Sequence, residues 1–184
     1  MEKIAENTQV KNCGITTMNQ KLKAIFALIA FLLISPPSFA GQFKVTRVTD
    51  GDTLKAAGHD IEIIVRLVGI DAPETSRKKN EEGQPFSIKA TKYLAKLVLN
   101  KNVQIKGYGL DRYNRVLGVV FAKGTNINLE MVKAGLAEVY RGKHARYFNP
   151  NMYQKAEAQA IKEKRGMWAQ GDKYVSPRDW RRMH

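Results

Sequence analysis

The sequence predicts an α+β domain built on a small β-barrel. Strand-like segments fill the first half of the folded region, and helical periodicity marks the second. No repeat, low-complexity tract or linker divides the two.

The chain has 184 residues, of which 43% are hydrophobic and 26% charged, enough for one domain with a real core. Lys and Arg total 31 against 17 Asp and Glu, a formal net charge of +14. That excess suits an anionic partner such as nucleic acid, an acidic membrane surface or another polyanion. Cys13, the single cysteine, precedes the folded region, so the fold needs no disulfide and a Cys-based metal site is excluded. His59, His144 and His184 are far apart and fit no zinc spacing.

Residues 1–40 have the order of a secretory leader. Lys21 and Lys23 precede an apolar run from Ala24 to Ile34, followed by Pro36-Pro37 and the small-residue site Ser38-Phe39-Ala40. The run is shorter than the roughly 20 residues a membrane span requires. Met18 would by itself begin a leader of ordinary length. Cleavage after Ala40 leaves 27 basic and 15 acidic side chains, a net +12, so the basic character belongs to the folded part. The expectation is export, to the periplasm or the medium.

Phe43 to Val48 alternates apolar with polar and reads as a strand. Asp50-Gly51 is a hairpin pair, and Thr53–Ala57 and Ile61–Ile70 continue the sheet, joined through Gly58. A charged, Gly-containing loop spans Ser76 to Gln84. Pro85 opens a helix running to about Leu99, with Ala90, Leu94, Leu97 and Val98 as its apolar stripe. Val103–Tyr108 and Val116–Phe121 read as strands. Leu129, Val132 and Leu136 mark a short helix with Gly135 near its end; Tyr153, Ala156, Ala160 and Met167 mark another, ending near Gly166. The tail from Ala169 to His184 is polar and basic.

Four clusters carry chemistry. Asp50-Gly51-Asp52-Thr53 reads as a plain hairpin turn, or as a turn that projects the Asp52 carboxylate into a groove. Arg66 interrupts the apolar run from Ile63 to Val68; a charge there costs several kcal/mol unless paired. It is either a structural ion pair or a rigid guanidinium for a phosphate, whose oxygens its planar fork matches. Asp71-Ala72-Pro73-Glu74-Thr75 places two carboxylates at one corner, as a capped turn or as hard oxygen ligands suited to Ca²⁺ or Mg²⁺. Asp111-Arg112-Tyr113-Asn114-Arg115 is a polar hairpin, or a phosphate clamp in Arg115 with Tyr113 against sugar or base.

Taken in order, these motifs resemble the staphylococcal nuclease (thermonuclease) family. The resemblance also includes Ala156-Glu157 and Arg165-Gly166-Met167-Trp168, and runs from about Val45 to Trp168. It implies a five-stranded OB-fold barrel with three α-helices over residues 41–168, with a basic tail over 169–184. It implies a Ca²⁺-dependent hydrolase of DNA and RNA phosphodiesters with little sequence specificity, leaving 3′-phosphate ends. Asp52 and Asp71, with the Ala72 carbonyl, would bind the ion. Glu74 matches the residue assigned as general base, and Arg66 and Arg115 match the phosphate-binding arginines. Tyr113 matches a substrate-contacting tyrosine, with Arg112 and Tyr140 beside the substrate. Asn114 stands where Gly is common, Arg112 where Lys is common, and Tyr140 alone where an aromatic pair lines the nucleotide pocket.

The expected partners are single-stranded or fraying DNA and RNA, met by a monomer with no stable membrane association after leader cleavage. A non-catalytic OB-fold nucleic-acid-binding module is the alternative. The filled catalytic positions argue against it. A membrane-active cationic protein lacks its amphipathic basic helix.

Overall fold

The computed structural model describes residues 42–76 and 81–184. The leader, Cys13, Met18 and part of the Ser76–Gln84 loop lie outside the described residues.

Strands β1 (Gln42–Val48), β2 (Thr53–Gly58) and β3 (Ile61–Leu67) form an antiparallel meander, and β5 (Asn102–Leu110) and β6 (Val116–Ala122) a second hairpin. β1 pairs with β5, and β3 runs parallel to β6, which closes a five-stranded barrel. The two-residue β7 (Thr125–Asn126) extends β6, and β4 (Ile70–Asp71) pairs separately with β8 (Glu138–Val139). Period-2 alternation turns Val45, Leu54, Ala56, Val65, Leu67, Val103 and Ile105 into the barrel, where each is buried.

Four α-helices accompany the barrel: α1 (Ser87–Val98), α2 (Ile127–Lys133), α3 (Asn151–Lys162) and α4 (Pro177–Met183). A 3-10 helix, Gly166–Lys173, precedes α4. α1 buries Ala90, Leu94 and Val98, the stripe its spacing predicts. Asn126 caps α2, its side chain accepting from the Leu129 amide at 3.0 Å.

Several expected boundaries shift for local reasons. His59 and Asp60, both at positive φ, make the β2–β3 turn rather than Gly58. The Ile61–Ile70 strand is broken at Gly69, whose φ is +81°; a Cβ there would lie 2.0 Å from the Phe148 ring. α1 starts two residues after Pro85, because Phe86 adopts the left-handed conformation. Met167 belongs to the 3-10 helix beyond α3, so the helix count exceeds three. The polar tail is not loose: it forms α4, whose Arg181 reaches the acidic side chains at the barrel rim.

Candidate active site at the barrel rim

The β1–β2 turn delivers Asp52. Asp50 Oδ1 accepts from the Asp52 amide at 3.0 Å, and the Asp52 carbonyl accepts from Leu67 N at 2.8 Å, locking the turn to β3. Gly51 allows the close approach: a Cβ there would stand 2.7 Å from Ala72 Cβ and 2.8 Å from Ala90 Cβ. The Asp52 side chain is therefore buried beside the segment that follows β4.

Its carboxylate is fully used. Oδ1 accepts from Arg66 Nη1 and from Thr53 Oγ1, each at 2.9 Å, while Oδ2 accepts from the Ala72 amide at 3.1 Å. Arg66, near the end of β3, spans both aspartates: its Nη2 donates to Asp71 Oδ1 at 2.8 Å. This arrangement answers the problem of a charge in an apolar strand, since the guanidinium has two carboxylate partners.

The balance of charge is still incomplete. Burial pushes the Asp52 carboxyl up to about 7; Arg66 pulls it down, and the nearby Asp50 and Asp71 push it up further. Burial lowers the Arg66 guanidinium's pKa, but Asp52 and Asp71 more than offset this and raise it. The acidic cluster thus has room for more positive charge than Arg66 supplies.

Asp71 lies in the short β4 opposite Glu138 of β8. Its Oδ1 accepts from Arg181 Nη1 at 3.1 Å and its Oδ2 from Arg181 Nη2 at 2.6 Å. The same Arg181 Nη1 donates to Glu74 Oε1. Glu74 is held at its backbone, where its amide donates to Gln84 Oε1 at 3.0 Å and its carbonyl accepts from Gln84 N at 2.8 Å.

Arg115 stands one strand away. β3 and β6 are parallel with Val65 opposite Val116, so Arg115 borders the strand that carries Arg66. Its guanidinium is held by Asp111, with Nε at 2.8 Å and Nη2 at 2.7 Å from Oδ2. Asp111 Oδ1 also accepts from the amides of Tyr113 and Arg115, at 2.9 and 3.0 Å. Burial would raise the Asp111 pKa, but these bonds from Arg115 and Tyr113 hold it below the usual carboxylate range. Asn114 fills the usual Gly position because it sits at φ +59°, a left-handed conformation that Asn tolerates well. Tyr113 is 64% exposed, with the guanidinium of Arg112 4.8 Å and that of Arg115 5.4 Å from its ring centroid.

The structure therefore joins Asp52, Arg66, Asp71 and Glu74 in one bonded group, with Ala72 touching it through its amide. Arg115, Arg112 and Tyr113 form a separate hairpin cluster on the adjoining strand. Tyr140 follows β8; its amide donates to the Gly69 carbonyl at 3.0 Å, and its half-buried ring meets His144 edge-on. Among the described residues no group of three or more His, Cys, Asp and Glu side chains is placed to hold a metal ion.

Three residues at or behind the site escape sequence reasoning. Arg181 lies in the tail, with no motif around it. Glu138 stands in Leu136-Ala137-Glu138-Val139, and a charge in so apolar a run was a readable signal. Burial raises its pKa, while the Tyr174 hydroxyl donates to its Oε2. Asn128, fully buried, donates to the carbonyls of Val68 and Gly118 and accepts from Val120 N, each at 3.0 Å. It fastens the β3–β4 link that sets Asp71.

Comparison with known proteins agrees with this architecture. Residues 64–170 match the family model described as staphylococcal nuclease homologue. A Haemophilus influenzae protein named as an uncharacterized endonuclease is 37% identical over 167 residues, covering 90% of this chain and 87% of that protein. The Shigella flexneri micrococcal nuclease is 35% identical over 171 residues, 88% and 92% of the two chains. A Pyricularia oryzae protein named probable endonuclease LCL3 is 39% identical over 128 residues, 66% of this chain and 49% of that longer protein. The chain belongs to the staphylococcal nuclease family and is a nuclease, a hydrolase of the phosphodiester bonds of nucleic acids.

Proposed function

We propose that this nuclease is exported, depends on Ca²⁺, and cuts DNA and RNA with little sequence specificity, leaving 3′-phosphate ends. The observation that carries the reading is the buried Asp52–Arg66–Asp71 group at the barrel rim, beside the Arg115–Tyr113 hairpin.

Asp52 and Asp71, with the Ala72 carbonyl, would hold the ion. The donor set is hard oxygen, and the raised pKa of Asp52 reflects carboxylate charge that Arg66 does not balance. When bound, the ion supplies Lewis-acid polarisation of a phosphoryl oxygen.

The protein's own groups do the rest. Arg66 and Arg115 hold the charge that gathers on phosphorus as water attacks, roughly 3 to 4 kcal/mol of transition-state stabilisation each. Glu74, its backbone pinned by Gln84, orients or deprotonates that water. Tyr113 offers an exposed ring to a sugar or base, flanked by two guanidiniums, and Arg112 and Tyr140 border the substrate path. The basic surface supplies salt-sensitive attraction to any backbone, and the OB barrel favours single-stranded or fraying ends. The leader-like residues 1–40 support export to the periplasm or medium, as a monomer free of the membrane.

The test is cleavage of single-stranded DNA and RNA by purified protein, with Ca²⁺ or with a chelator, followed by end-group analysis. Chelator-resistant cutting, or 5′-phosphate products, overturns the reading. Cell fractionation that finds the protein in the cytoplasm overturns export.

A further inference from the structure

We propose that the C-terminal helix α4 is an intramolecular ligand of this site: Arg181 occupies the carboxylates of Asp71 and Glu74 when no divalent cation is bound, and cation binding releases it. The inference rests on the reading of Asp52 and Asp71 as metal ligands and adds a control element to it.

Arg181 grips Asp71 through both oxygens and also reaches Glu74. Asp71 Oδ1 is shared between Arg66 and Arg181, and its Oδ2 belongs to Arg181. A cation coordinated by Asp71 must therefore take an oxygen from a guanidinium. Glu74, in turn, cannot hold an attacking water through the oxygen that Arg181 engages. The tail thus blocks two separate roles with one side chain.

Charge makes the two occupants alternatives. Asp52, Asp71 and Glu74 carry three carboxyl groups against the single guanidinium of Arg66. Arg181 and a divalent ion both relieve that excess, the divalent ion more fully.

The tail is built to let go. Its base is anchored: Tyr174 packs on Trp168 with ring centroids 4.6 Å apart and bonds Glu138, and Gln84 Nε2 donates to the Val175 carbonyl at 2.7 Å. Ser176 then caps α4, its Oγ accepting from Asp179 N at 3.0 Å. Beyond that point Pro177 is the only buried residue of α4, and the Arg181 side chain is 38% exposed. A half-exposed ion pair on a seven-residue helix is a weak tether, one that a divalent ion can displace.

The experiment uses chelator-stripped full-length chain, wild type and Arg181→Gln, with Ca²⁺ itself as the probe. Calorimetric titration should show Ca²⁺ binding the variant on the order of 10-fold more tightly, because a competing cation is gone. In parallel, brief trypsin treatment with mass spectrometry follows release of the peptide beyond Arg178. Wild type should release it slowly without Ca²⁺ and several-fold faster with it, whereas Arg181→Gln should release it fast in both conditions. That wild-type arm stands even if the variant folds poorly. Equal or weaker Ca²⁺ affinity in a folded Arg181→Gln, or wild-type tail release indifferent to Ca²⁺, overturns the latch while leaving the metal reading intact. Absence of Ca²⁺ binding to either protein overturns both.

Discussion

Arg66 Nη1 lies 2.9 Å from Asp52 Oδ1, joining the β1–β2 turn to the third strand through a contact that is almost sealed from solvent on the aspartate side. Removing the guanidinium leaves a buried carboxyl without its main counter-charge. Arg66→Ala should lower activity on the order of 10²- to 10³-fold at saturating Ca²⁺. In the metal-free protein it should also cost about 3 kcal/mol or more of stability. Adding Asp52→Asn to Arg66→Ala should recover part of that stability and none of the activity. Denaturant melts and cleavage assays on both variants check it; no recovery in the double variant would show that the pair is not the source of the loss.

Stability should depend on pH through Asp52. Folding raises its carboxyl from the model value 3.8 to about 7, mainly by burial. The folded chain therefore keeps a proton that the unfolded chain has already released. The resulting stability is full below about pH 4 and is lost as pH rises toward 7. Divalent-ion binding needs the ionised form, so the rise in Tm produced by Ca²⁺ should be small at pH 5 and large at pH 8. Melting curves with and without Ca²⁺ across that range measure it, and a Ca²⁺ effect that is flat or falls with pH contradicts the assignment.

Asn128→Ala should be among the most damaging substitutions far from any charged group. It orphans the Val68 and Gly118 carbonyls and the Val120 amide, each bonded to the side chain at 3.0 Å. Unsatisfied buried groups cost about 1–3 kcal/mol each, so a loss of about 3 kcal/mol or more is expected. Since Val68 leads into β4, the residual folded protein should also bind Ca²⁺ more weakly. Chemical denaturation combined with calorimetry tests both parts.

Tyr113 and Arg115 share a hairpin but should separate kinetically. Tyr113 is largely exposed and touches only the two flanking guanidiniums by its ring. Tyr113→Ala should raise KM several-fold with a modest change in kcat. Arg115→Ala should lower kcat by about 10²-fold or more, as expected for a group that binds transition-state charge. Steady-state kinetics on a single-stranded oligonucleotide distinguishes the two, and a kcat loss of equal size in Tyr113→Ala would place the ring in the chemistry.

Much of this protein is legible locally. Alternation in Phe43–Val48, the Asp50-Gly51 turn, the Ala90–Leu94–Val98 stripe and the Asn126 cap each depend on neighbours a few residues away, and each appears in the fold. Arg66 announced its need for partners because an unpaired charge in an apolar strand is costly, and Glu138 carried the same unread signal. Barrel closure is not local: the parallel β3–β6 pairing joins residues about fifty positions apart.

The sequence by itself determined the strand order, the family and the residues gathered at the rim, because motif spacing and side-chain periodicity are properties of short segments. Only the tertiary structure decided how those groups are shared. Arg66 bridges two aspartates, Asn128 holds the segment that carries one of them, and Arg181 reaches Asp71 across 110 residues. Such contacts come from where the folded chain returns, and a polar tail carries no periodic pattern that reveals its destination.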